Sequence, residues 1–159
     1  MALLASMTLA CSKHSSCTKE KDGTAPITKP QITIEGDRLT PEALWAMGRI
    51  GTVALDVETG HVAYTVSYYS VTENRSTTWI RLCTETENGL EPYDEFIGSD
   101  PAWFGNSGVL AYLKGGKLYL RQHQKDIAVT GYDKNIEGFL FCPMRDKILL
   151  ISAVKTRQT

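Results

Sequence analysis

Three stretches of the chain follow one plan: an apolar strand, a four-residue polar turn, then a second apolar strand. They are Ala54–Tyr64, Ala102–Tyr112 and Phe139–Leu150. Strand groups returning about every forty to fifty residues have the period of a β-propeller blade. A β-sandwich with similarly spaced strands is the competing architecture, and the repetition of one strand-turn-strand plan argues against it. The expected fold class is therefore all-β: a partial β-propeller of about two and a half four-stranded blades, preceded by a short helix. Neighbouring blades cover inner strands on both faces, so the run Ile148-Leu149-Leu150-Ile151 can be apolar without alternation.

The finer reading places strands at about 52–57, 61–69, 76–83 and 93–97. A second group falls at about 101–104, 108–113, 117–121 and 125–129, and a third begins at about 137–142 and 147–154. Gly115-Gly116 between two apolar segments is a two-residue hairpin signal. Thr59-Gly60 and Ser107-Gly108 put glycine where a positive φ is expected. Ahead of the strands, Thr40 is a good N-cap, Pro41 suits the first helical position and Glu42 complements the positive helix end. Leu44 and Met47 share a face with Trp45 beside it, and Gly48 is suited to a left-handed helix end. So short a helix must pack on the strands beyond it.

The N-terminus is of a different kind. Residues 1–11 make a short apolar run ending at Cys11, and polar residues come next, from Ser12. The run is too short for a spanning helix and has the form of a signal segment. Leu9-Ala10-Cys11 matches a bacterial lipoprotein cleavage site, which makes Cys11 the candidate lipidation residue. No Lys or Arg precedes the run, and Thr8 stands where the pattern prefers Leu, so a merely apolar N-terminus is the alternative. Residues 12–31 are polar, contain His14 and Cys17, and read as a flexible tether. Residues 32–159 make up the folded part. Cys83 and Cys142 fall in expected strands and read as small buried hydrophobes. A Cys83–Cys142 bridge is the alternative in an oxidising compartment. A net charge of −1 gives no reason to expect nucleic acid as a partner.

Several segments resemble the bacterial prolyl-oligopeptidase family of serine peptidases, in its dipeptidyl-peptidase V and acylaminoacyl-peptidase branch. Leu39-Thr40-Pro41-Glu42-Ala43-Leu44-Trp45-Ala46-Met47-Gly48-Arg49-Ile50-Gly51 is similar to that branch's opening segment. Val66–Ser76 is similar to its first long blade loop, and Asp100-Pro101-Ala102-Trp103 and Ile136-Glu137-Gly138-Phe139 to its blade openings. Where the family turns on Ser-Pro-Asp-Gly, this chain has Val57-Glu58-Thr59-Gly60, Gly105-Asn106-Ser107-Gly108 and Cys142-Pro143-Met144-Arg145. The resemblance covers about residues 32–155. It implies a propeller joined to an α/β-hydrolase domain carrying Ser, Asp and His, with the propeller restricting access to short peptides.

The chain itself carries no such apparatus. It has no G-x-S-x-G segment, and Gly105-Asn106-Ser107-Gly108 has the wrong spacing for a nucleophile elbow. His61 and His123 stand isolated on expected strands, where a hydrogen-bonded or half-exposed imidazole is the ordinary case. Asp100, ahead of Pro101, shapes a bend. Glu85, Glu87 and Glu91 near Asn88-Gly89 read as a solvated turn rather than a metal loop. Tyr68 and Tyr69 read as packing aromatics. No catalytic, cofactor-binding or metal-ligating residue is assigned, and no cofactor is expected. The chain is expected to be an exported, periplasmic or outer-membrane, lipid-anchored propeller portion of a serine peptidase. By itself it should be inactive, reaching peptide substrates only through a catalytic domain it lacks. A stand-alone lipid-anchored β-domain that binds a peptide, glycan or partner protein is the other reading.

Overall fold

The structure is a computed structural model and describes residues 24–32, 36, 38–105, 108–129, 131, 134–142 and 147–153. The expectations for residues 1–11, for Cys11, His14 and Cys17, and for the turn residues Asn106, Ser107, Pro143, Met144 and Arg145 lie outside the described residues.

The chain is mostly β, and among the described residues ten strands form at the ten expected places. The first sheet holds β1 (Arg49–Asp56), β2 (His61–Ser70), β3 (Arg75–Thr86) and β4 (Gly89–Ile97), hydrogen-bonded in that order. The second holds β5 (Ser99–Phe104), β6 (Val109–Lys114), β7 (Lys117–Gln122) and β8 (Lys125–Ala128), again in sequence order. β9 (Gly138–Phe141) and β10 (Ile148–Ile151) make a third, two-stranded sheet. Every pairing is antiparallel, as hairpin connections of this length require.

Turn chemistry sets the local breaks. Gly115 and Gly116 take φ of 56° and 70°, the two positive angles of a type I′ hairpin. Gly60 and Gly108 are also left-handed, at 67° and 64°. Asp100 itself is left-handed, at 52°, where the β5–β6 register shifts between Ser99 and Ala102. The bend expected at Asp100-Pro101 is thus a β-bulge.

Side-chain alternation decides which sheets meet. Ala63, Ile80 and Leu82 of the first sheet pack on Leu110 and Tyr112 of the second, with Ala54, Phe96, Trp103 and Tyr119 around them. Gly98 lies in this junction because a Cβ there would come within 2.6 Å of Tyr112 Cδ2 and 2.9 Å of Ile80 Cδ1. The opposite face of β6 carries Ala111 and Leu113, which join Leu118, Ile136 and Phe139 in a second core. Ile148 and Leu150 pack against that core. Burial of a large apolar side chain contributes roughly 1.5–3 kcal/mol, so these two seams hold the sheets face to face.

Two sequence expectations change here. Coverage on both faces belongs to β6, where four successive residues are buried, and not to β10. In β10 burial alternates: Leu149 is 62% and Ile151 47% exposed. The second correction concerns the helix, α1 (Pro41–Ala46). Thr40 does cap it, its Oγ1 accepting from Ala43 N–H at 3.2 Å. Ala43 is the buried residue, whereas Leu44 and Met47 face solvent and Trp45 packs on Tyr69 with ring centroids 5.3 Å apart. The chain leaves the helix in extended conformation at Met47, so Gly48 is not a left-handed cap. It is needed for close approach, since a Cβ would fall 2.7 Å from both Tyr68 and Val66.

The last residues of the expected tether lie against the first sheet. Ile27 N–H donates to Thr77 Oγ1 at 2.9 Å, and Trp79 Nε1–H donates to the Ile27 carbonyl at 2.8 Å. Arg75 donates to the Ala25 carbonyl. Tyr68 is buried, as expected of a packing aromatic. Cys83 is buried and Cys142 half-buried, both as free thiols, so no bridge joins them. Among the described residues no helix is long and apolar enough to cross a membrane.

Candidate functional site

A cleft of about 290 Å³ opens between the first and second sheets. One wall comes from the first sheet: His61 at the start of β2, Leu82 on β3, and Tyr93 and Asp94 on β4. The other comes from the second sheet: Trp103 on β5, Leu110 on β6, Arg121 and Gln122 on β7, with the His123-Gln124 turn at the lip. The two histidines that look isolated in sequence therefore line one cleft. His123 lies in the β7–β8 turn and not on a strand as expected: with Gln124 it takes φ of 49° and 61°, a type I′ turn made without glycine. Such angles are unfavourable for residues with a Cβ and are held by the surrounding pairings.

The aromatic wall is ordered by its neighbours. The His61 ring centroid lies 5.4 Å from Tyr93 and 5.9 Å from Trp103. Trp103 spends its only polar hydrogen on the Ala54 carbonyl at 3.2 Å, which fixes the indole and leaves no donor on it. Burial first, and then the neighbouring Asp94 carboxylate, raises the Tyr93 phenol above its ordinary pKa.

The polar wall is an ion-pair network across the two sheets. Arg121 donates from Nε at 3.1 Å and from Nη2 at 2.7 Å to Asp94 Oδ2, and from Nη1 at 2.6 Å to Asp126 Oδ1. Its guanidinium also lies 4.1 Å from the Phe96 ring centroid. Burial alone would lower the Arg121 pKa, but the hydrogen bonds to Asp94 and Asp126 outweigh it and the net shift is upward. The Arg121–Asp94 pair is largely removed from solvent, at 11% and 15% exposure, so its charges are weakly screened.

One further group is paired with His61 across the strands. Asp56 is its direct cross-strand neighbour and is 4% exposed. Its Oδ1 accepts from Glu58 N–H at 3.2 Å, while Oδ2 is buried with no hydrogen-bond partner. A buried carboxylate oxygen without a donor is costly, of order 1–3 kcal/mol or more.

The sequence marked His61, His123 and Trp103 individually but carried no sign of their company. Asp94 and Arg121 are 27 positions apart and meet only because two sheets do. The strand alternation that puts His61 and Ala63 on the same face of β2 was the available clue. Glu85, Glu87 and Glu91 are exposed around the β3–β4 turn. Among the described residues no group of three His, Cys, Asp or Glu side chains is placed to hold a metal ion.

No protein-family model matches the chain, and no solved structure matches it. Dipeptidyl-peptidase 5 of Porphyromonas gingivalis is 26% identical over 141 residues, a match that covers 84% of this chain. The chain spans about a fifth of that protein, 21% of its length. By this match the chain is distantly related to a dipeptidyl peptidase, along nearly all of its own length.

Proposed function

We propose that the chain is an N-terminal propeller portion of an exported dipeptidyl- or acylaminoacyl-peptidase-like enzyme. In that enzyme it gates the access of short peptides to a catalytic α/β-hydrolase domain. The observation that carries this reading is the match to dipeptidyl-peptidase 5 over most of the chain. The stacking of two four-stranded sheets in sequence order, followed by a two-stranded one, is an arrangement successive blades would have. The described side chains lining the cleft include no Ser, Cys or Thr, and in this reading the chemistry belongs to the catalytic domain. Peptides are its partners through the catalytic domain, and a lipid at Cys11 is its link to the membrane.

The test has two arms. The coding DNA 3′ of the Thr159 codon should continue, in frame or after a frameshift, into a G-x-S-x-G segment. The purified chain should neither hydrolyse dipeptidyl or aminoacyl chromogenic substrates nor take up a serine-directed fluorophosphonate. An intergenic region directly after Thr159 would favour the stand-alone binding domain. Fluorophosphonate-sensitive turnover would overturn the assignment of a non-catalytic portion.

A further inference from the structure

We infer that the cleft between the two four-stranded sheets is a binding site for a small organic cation: an alkylammonium or guanidinium group on a short apolar stem, as a basic peptide side chain presents. Three observations converge on this chemistry. The first is the row of rings formed by His61, Tyr93 and Trp103, of which Tyr93 and Trp103 attract a cation through their ring quadrupoles. Trp103 has already used its N–H, so a ligand meets the ring and not a donor.

The second is charge. Two carboxylates, Asp94 in the lining of the cleft and Asp126 beside it, stand against the guanidinium of Arg121. Arg121 is committed to both by three hydrogen bonds. The fixed charge is therefore negative in excess, and the guanidinium is neutralised in place. An anionic ligand would need Arg121 to leave partners that hold it in a weakly screened site. The third observation is the unpartnered Oδ2 of Asp56, buried directly across the strand from His61. A positive charge bound beside that imidazole lowers the cost of a buried, donor-poor carboxyl group across the strand.

Size narrows the class further. At about 290 Å³ the cleft is at the small end of ligand sites. It suits one side chain or a short amine and not an extended molecule. The apolar Leu82 and Leu110 in its lining fit the stem of such a group. This inference is independent of the peptidase reading, because the cleft lies wholly within the described sheets.

The experiment is a two-dimensional NMR titration of the full chain with n-butylammonium chloride at constant ionic strength, with 1-butanol as the neutral counterpart. Saturable shifts of the Trp103 indole and His61 ring signals are expected, with a Kd in roughly the millimolar range. Binding of 1-butanol should be about tenfold weaker or more, and so should n-butylammonium binding to Trp103→Leu. Tyr93 is 42% exposed, so Tyr93→Leu tests the same wall even if Trp103→Leu fails to fold. Asp56→Asn, which retains an acceptor for Glu58 N–H, should weaken the ammonium and leave 1-butanol unaffected. Equal response to the two probes, an unchanged Kd in Tyr93→Leu, or no saturable shift up to about 0.1 M ligand would overturn the inference.

Discussion

Gly98→Ala isolates the packing of the sheet junction with a single methyl group. The backbone there is not left-handed, so alanine is conformationally permitted and, by restricting the unfolded chain, would stabilise by about 0.4–1 kcal/mol. Against this stands steric overlap. The new Cβ would lie 2.6 Å from the Tyr112 ring and 2.9 Å from Ile80 Cδ1, and both side chains are fully buried. Neither can swing into solvent, so the strands must part, at the 1–3 kcal/mol typical of overpacking. The net expectation is a destabilisation of about 1–2 kcal/mol. With a urea m-value near 2 kcal/mol/M, the denaturation midpoint should fall by about 0.5–1 M. Gly138→Ala is the matched control, because its Cβ would meet Ile151 Cδ1 at an ordinary 3.5 Å. Its midpoint should hold or rise slightly. Ile80→Val, which removes Cδ1, should cost less in the Gly98→Ala background than in the parent chain. Equal midpoints for Gly98→Ala and Gly138→Ala would refute the close packing of the two sheets on which the cleft depends.

Leu140, Leu149 and Ile151 are 59%, 62% and 47% exposed on one face of the third sheet, so the chain should bind a hydrophobic dye and self-associate on size-exclusion chromatography. Leu149→Lys should reduce both signals, and a dye-silent monomeric parent chain would contradict this. Burial, followed by the influence of Asp126 on Tyr112 and of Asp94 on Tyr93, holds both phenols protonated above the ordinary value of 10.0. Tyrosines of the unfolded chain ionise near 10, so the stability linked to these protons is intact below about pH 10 and is lost as pH rises through and beyond it. Urea midpoints should therefore fall between about pH 9 and pH 11, less steeply in Tyr112→Phe, and a flat profile would argue against the shifts. In a Gram-negative host, palmitate should label the chain and Cys11→Ser should abolish the label. Labelling that persists in Cys11→Ser would remove the anchor from the proposal.

Much of the secondary structure was legible because its causes are local. Gly115-Gly116 dictates a type I′ hairpin through its own φ preferences, and Thr40-Pro41 starts a helix through its own hydroxyl and ring. The repeated strand-turn-strand plan set the order of the strands within and between sheets. Only the tertiary structure decided which faces meet. Gly48 has the local signature of a helix cap, yet its lack of a Cβ matters because Tyr68 and Val66 press on it from β2. The apolar run of β10 reads like a strand buried on both faces, but burial depends on a neighbouring layer, and β6 is the strand that has one on each side. His61 and His123 look alike as lone imidazoles, and Asp94 and Arg121 carry no mark at all. They become a site because β4 and β7 approach across a junction whose spacing is set by Gly98, Ile80 and Tyr112, and distance through space between distant positions is not written in any local run of residues.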